Sequence, residues 1–192
     1  MPIIGAKLDR IDARAKVTGE ALYPGDFNFP DALHMKVLFS SRVQALIHQI
    51  DITEALQTPG VILILTAKDV PNNEYGLIKP DQPVLCGPDS NKPYANRVRF
   101  LGDQVAVIVA ETAEAAVEAR DRIKVEYEDL PIVPNMQAAI APNAPLVHPE
   151  LGSNIFQHFQ IRRGDVEKAF AAADVIIEGD YKTPVQEHAY LQ

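Results

Sequence analysis

The chain has 192 residues, 47% of them hydrophobic and 23% charged, and carries a formal net charge of −8. Its 18 basic residues are scattered, which argues against a phosphate-backbone partner, and no apolar run is long enough to cross a bilayer. About 70% of the unfolded surface can be buried at this size, so the expectation is a soluble cytoplasmic protein with no nucleic-acid and no membrane partner.

From Leu33 the pattern LHMKVLFS predicts a strand, and Ala45–Ile52 a second. Asp51 and Glu54 stand three apart, the spacing of a self-capping helix start, and TPG follows at Thr58–Gly60, so one short helix fits between them. The apolar, branched run Val61–Thr66 predicts a strand covered on both faces. The next thirty residues hold most of the Pro, Asn and Gly, and predict a long surface excursion ending near Asn96.

Arg97–Phe100 and Gln104–Glu111 predict two core strands joined by a turn at Gly102 and Asp103. Thr112 is placed to cap a helix whose inward stripe is expected at Ala113, Ala116, Val117, Arg120 and Ile123. In KVEYEDL, Val125 and Tyr127 alternate with Glu126 and Glu128, the mark of a half-exposed strand. A Pro- and Ala-rich connection follows, and a domain boundary is expected in it, around Pro142–Gly152. Beyond it the same order is expected again: a strand in FQHFQIRRG, a helix capped by Asp165, and a strand from Asp174 with Val175, Ile177 and Tyr181 on one side.

Candidate chemistry is sparse. A metal centre needs converging ligands at short spacings, whereas His34, His48, His148, His158 and His188 are dispersed, so no metal ligands are assigned. Glu187 and His188 are adjacent, and adjacent strand residues point to opposite faces. No GxGxxG and no GKS or GKT occurs, and Ser40 and Ser41 lack a glycine elbow. Cys86, the single cysteine, has no neighbouring histidine to activate it and reads as a loop thiol. No catalytic residue is assigned from the residues alone; they support an α/β domain that binds something near its C-terminal end.

In order, RIDARAKVTGEALYPGD, PDALHMKVLFS, IDITEALQTPGVILILTAKDVP, RVRFLGDQVAVIVAETAEAAVEARDRIKVEYEDLP and GDVEKAFAAADVIIEGDYKTP resemble the molybdenum-binding subunit of the xanthine dehydrogenase and aldehyde oxidase family. The resemblance runs from about Ile4 to Gln192. It implies a mixed α/β (α+β) fold: a lead-in over 1–14, an α/β hammerhead domain over 15–141 and a Pro-rich linker over 142–153. Residues 154–192 would then be the opening helix and strands of a molybdopterin-binding domain, truncated at Gln192.

QEHAYLQ, Gln186–Gln192, is similar to the family's Q-E-H-x-Y-L-E stretch, whose first glutamine lies beside the molybdenum and contacts one of its oxygen ligands. That role falls on Gln186, since an uncharged amide can donate there without adding charge. Gln192 stands where the family has a glutamate, and SSRVQ, Ser40–Gln44, where it has Ser-Pro-x-x-His. The implied activity is hydroxylation of a purine, another N-heterocycle or an aldehyde with water-derived oxygen. The implied cofactor is molybdenum–molybdopterin, with 2Fe-2S clusters and FAD on other domains or subunits, and none bound to this chain alone. The implied partners are the rest of the molybdenum-binding subunit, the iron–sulfur and FAD subunits and a small-molecule substrate. An alternative from another class is a free-standing assembly module that docks on such subunits.

Overall fold

The structure, a computed structural model, describes residue 5 and residues 9–187. In chain order its α-helices and strands are α1 (Ala13–Thr18), β1 (His34–Phe39), β2 (Ala45–Asp51), α2 (Thr53–Leu56), β3 (Val61–Leu65), β4 (Arg97–Val98), β5 (Gln104–Ala110), α3 (Ala113–Arg122), β6 (Lys124–Asp129), α4 (Met136–Ala139) and α5 (Val166–Ala171). The chain divides into two compact units, Ala32–Phe159 and a smaller one made of Met1–Asp31 with Gln160–Gln192.

The larger unit holds two three-stranded antiparallel sheets, ordered β1-β5-β3 and β4-β2-β6. The mixed helix-and-strand expectation therefore holds. α3 follows β5 immediately because Thr112 ends the strand extended and its hydroxyl accepts from Ala115 N at 3.1 Å, capping the first turn. The helix lays Ala115, Ala116 and Ala119 on Ala106, Ile108, Ala110 and Ile64 of the first sheet. Small side chains let helix and sheet approach closely, and Ala55 of α2 joins them. A second cluster gathers Ala45 and Ile47 of β2, Val98 of β4, Val105 of β5 and the loop residue Cys86, and Leu38, Ile50 and Val125 touch both cores.

Several expectations need correction. The α3 stripe is centred on Ala115, Ala116, Ala119 and Ile123, with Val117 and Arg120 at its half-buried edge. Asp51 and Glu54 do not cap reciprocally. Asp51 accepts from Thr53 N at 2.9 Å, whereas Glu54 turns to Lys124 across the sheet. Nor is β3 covered on both faces. Its register sets Leu63 and Leu65 beside Val109 and Val107, which face Met35 and Val37 on the far side, and this apolar surface opposite α3 is left largely bare. An apolar run shows that both faces are apolar and leaves open what covers them.

The excursion after β3 is anchored inward as well. Asn73, Leu85, Cys86 and Ala95 are buried, and the Asn73 side chain bonds both backbone groups of Leu85. The smaller unit forms α5, with Asp165 accepting from Lys168 N at 3.0 Å as expected. The strands expected on either side of it do not form among the described residues. Alternation reports two faces, but a strand persists only where a neighbour completes its hydrogen-bond ladder, and Val175, Ile176 and Ile177 remain exposed.

Candidate functional site

Gln186 lies in the smaller unit on an irregular, exposed segment, after Val185, which is itself bare. Its Nε2 donates to the neighbouring Glu187 carbonyl at 3.3 Å, a weak local contact. A primary amide has two N–H donors and a carbonyl acceptor, so most of its capacity is uncommitted. His188 and Gln192, which belong to the same QEHAYLQ motif, lie outside the described residues.

In the same unit, α5 and the segment after it enclose an open groove of about 470 Å³. Val166, Ala169, Phe170, Ala173 and Ile177 line it, together with Arg163. Its walls are mostly apolar, and the Asp165 carboxylate that also lines it is engaged as the α5 cap.

The other sequence candidates are dispersed in space too. His48 Nε2 meets Glu128 at 2.8 Å on the outside of the second sheet, His148 Nδ1 meets Glu150 at 3.1 Å, and His34 and His158 are exposed. Among the described residues, no three His, Cys, Asp or Glu side chains gather as a metal site would need. Cys86 is buried, its thiol donating to the Arg97 carbonyl at 3.8 Å. Burial, and after it the nearby Asp103 carboxylate, pushes its pKa up to about 12. It is a packed thiol and not a nucleophile.

Sequence reasoning missed the charged cluster on β4 and the residues just after it. Arg97 at the start of β4 and Arg99 just beyond its end both turn toward residues 146–150. The Arg99 side chain is only 6% exposed. Asp103 accepts from Arg99 N at 2.6 Å and Phe100 N at 3.3 Å, closing the turn. The R-x-R spacing was the available signal.

Comparison with known proteins adds a consistent pattern. Residues 18–131 match the family described as aldehyde oxidase and xanthine dehydrogenase, a/b hammerhead domain, and residues 147–192 match the molybdopterin cofactor-binding domain. The chain is 40% identical over 184 residues to a probable xanthine dehydrogenase subunit of Bacillus subtilis, covering 95% of this chain and 23% of that protein. It is 34% identical over 192 residues to the xanthine dehydrogenase/oxidase of Rattus norvegicus, covering 99% of this chain and 13% of that one. The aldehyde oxidoreductase from Desulfovibrio gigas superposes with a TM-score of 0.73 at 33% identity, over 89% of this chain and 19% of its own. The chain thus spans less than a quarter of the length of each of these three.

Proposed function

Because the chain belongs to the aldehyde oxidase and xanthine dehydrogenase family, we propose that it forms part of a molybdenum-binding subunit that hydroxylates a purine, another N-heterocycle or an aldehyde. In this reading residues 15–141 are the hammerhead domain, 142–153 a linker, and the stretch from 154 the opening of the molybdopterin-binding domain. Catalysis belongs to the complete assembly, with iron–sulfur and FAD subunits as partners. A bound molybdenum–molybdopterin group would supply the oxidation of the substrate carbon, and the protein would supply positioning.

The observation that carries the reading is the exposed, largely uncommitted amide of Gln186 within the segment matching the molybdopterin cofactor-binding domain. Such an amide fits the edge of a charged metal centre, since it donates hydrogen bonds and adds no charge. The described residues around it offer no glycine-rich phosphate cradle, so Gln186 is one contact in a site that other polypeptide completes. The apolar groove along α5 supports the same view, being surface that a larger domain core would bury.

The test is Gln186→Ala in the intact protein, followed by turnover, molybdenum and pterin content, and melting temperature. Turnover is expected to fall about tenfold or more, with metal, pterin and melting retained. Unchanged turnover, or parallel loss of all of these properties, removes Gln186 from the site.

A further inference from the structure

The strongest unassigned feature is the way residues 139–154 are held against the larger unit. Asn154 folds this stretch on itself: its Oδ1 accepts from Val147 N at 2.9 Å, and its Nδ2 donates to the carbonyls of Ala139 at 3.0 Å and Pro145 at 2.9 Å. The stretch is therefore a preformed body. Apolar burial is only part of its attachment: Leu146 and Val147 are half-buried, but Ile140 is 67% and Leu151 48% exposed.

Cations make the polar part of the attachment. Arg97 Nη2 donates to the Leu146 carbonyl at 2.9 Å, and Gln44, with its amide turned to donate to Pro131 O, accepts from the same nitrogen at 3.1 Å. Arg99 Nη2 meets Glu150 Oε1 at 3.2 Å, and His148 Nδ1 meets that same oxygen at 3.1 Å. Just downstream, Lys79 sits over the Phe156 ring, 4.9 Å from its centroid.

We infer that Arg97 and Arg99 form a two-point clasp that holds residues 139–154 as one strap, with the Glu150 carboxylate as the catch. Arg97 and Arg99 lie in the segment matching the hammerhead domain, and Glu150 in the segment matching the molybdopterin cofactor-binding domain, so the clasp ties the two sequence blocks together. Arg99 is held in place from β4, its Nη1 donating to the Arg97 carbonyl at 3.1 Å. Such a strap opens as a body, because Asn154 keeps its internal bonds when the catch is lost. The clasp does not depend on the molybdenum reading and stands or falls by its own test.

The charged groups around Glu150 are Arg99 and His148, with Arg97 beside Arg99. Arg97 is held back from full basicity by burial first and then by Arg99 beside it, while Glu150 draws it the other way. Burial acts to raise the Glu150 carboxyl, but its own backbone N–H, His148 and the Arg99 charge outweigh this and hold it below the usual carboxylate range.

The experiment is hydrogen exchange of the intact protein, read at peptides covering residues 139–154 and, as control, at 113–122. Glu150→Gln, Arg99→Gln and the double variant are compared with the unaltered chain. Each single variant is expected to speed exchange across 139–154 about tenfold or more, and the double by less than the two effects combined, since the Arg99–Glu150 contact is lost in both. The control peptide should not change. Unchanged exchange at 139–154, additive effects, or equal acceleration at 113–122 would each overturn the clasp.

Discussion

Asn73 and Leu85 are joined by two hydrogen bonds, the Asn73 Nδ2 donating to the Leu85 carbonyl and the Leu85 N–H donating to Asn73 Oδ1, each at 2.9 Å. Asn73 is fully buried and also donates to Ser90 Oγ at 2.8 Å, so one side chain substitutes for the ladder that an irregular loop lacks. Asn73→Ala would leave both backbone groups of Leu85 buried without partners. The expected loss is about 2–4 kcal/mol, or roughly 5–15 °C in melting temperature. A melting curve that stays in place would show that the loop has other anchors.

Ala116 packs into the first core, fully buried, while Val117 beside it is half exposed. Ala116→Asp should therefore cost about 3–5 kcal/mol by burying an unpaired carboxylate. Val117→Asp should cost only about 1 kcal/mol. Denaturant unfolding of the two variants gives the comparison, and equal losses would return Val117 to the inward face.

That pair also shows where local reading stopped. The helix itself was plain from its periodicity and from Thr112, but its hydrophobic stripe pointed to Val117 because a valine outweighs an alanine in any apolar pattern. The sheet makes the choice, since only Ala115, Ala116 and Ala119 are small enough to sit against Ala106 and Ala110. β2, β5 and β6 were visible for a related reason: their alternation or apolar length is local information. Asn73 was not visible, because its partner is twelve residues away and nothing in its surroundings announces the bond. Gln186 stood out only through the motif around it. An amide has no spacing signature of its own, and its chemistry depends on what lies opposite.

Cys86 should be unreactive in the folded chain. With its pKa pushed up to about 12, only about one thiol in ten thousand is ionised at pH 8. A chromogenic disulfide should label the native protein slowly and the denatured protein completely within minutes. The raised value also gives a stability trend. The folded thiol holds its proton where the unfolded one releases it, so the contribution is full below the unfolded pKa and is lost as pH rises toward about 12. Rapid native labelling at pH 8 would show that the loop carrying Cys86 opens readily.

Asp103 gives the counterpart at acid pH. Burial is the largest influence on it and raises its carboxyl above the usual value, against the N–H groups of Arg99 and Phe100 and the Arg99 charge. The folded chain thus keeps the Asp103 proton more tightly than the unfolded chain does. Its stabilising contribution is present below the ordinary carboxylate pKa of about 3.9 and is lost as pH climbs through the raised folded value. Asp103→Asn retains an oxygen to accept from Arg99 N but cannot titrate. The stability of this variant relative to the unaltered chain should therefore improve as pH rises through the weakly acid range and level off above it. Chemical denaturation at a series of pH values measures this difference. If the difference stays flat throughout, Asp103 ionises alike in the folded and unfolded chains, and its burial has been offset by the turn that holds it.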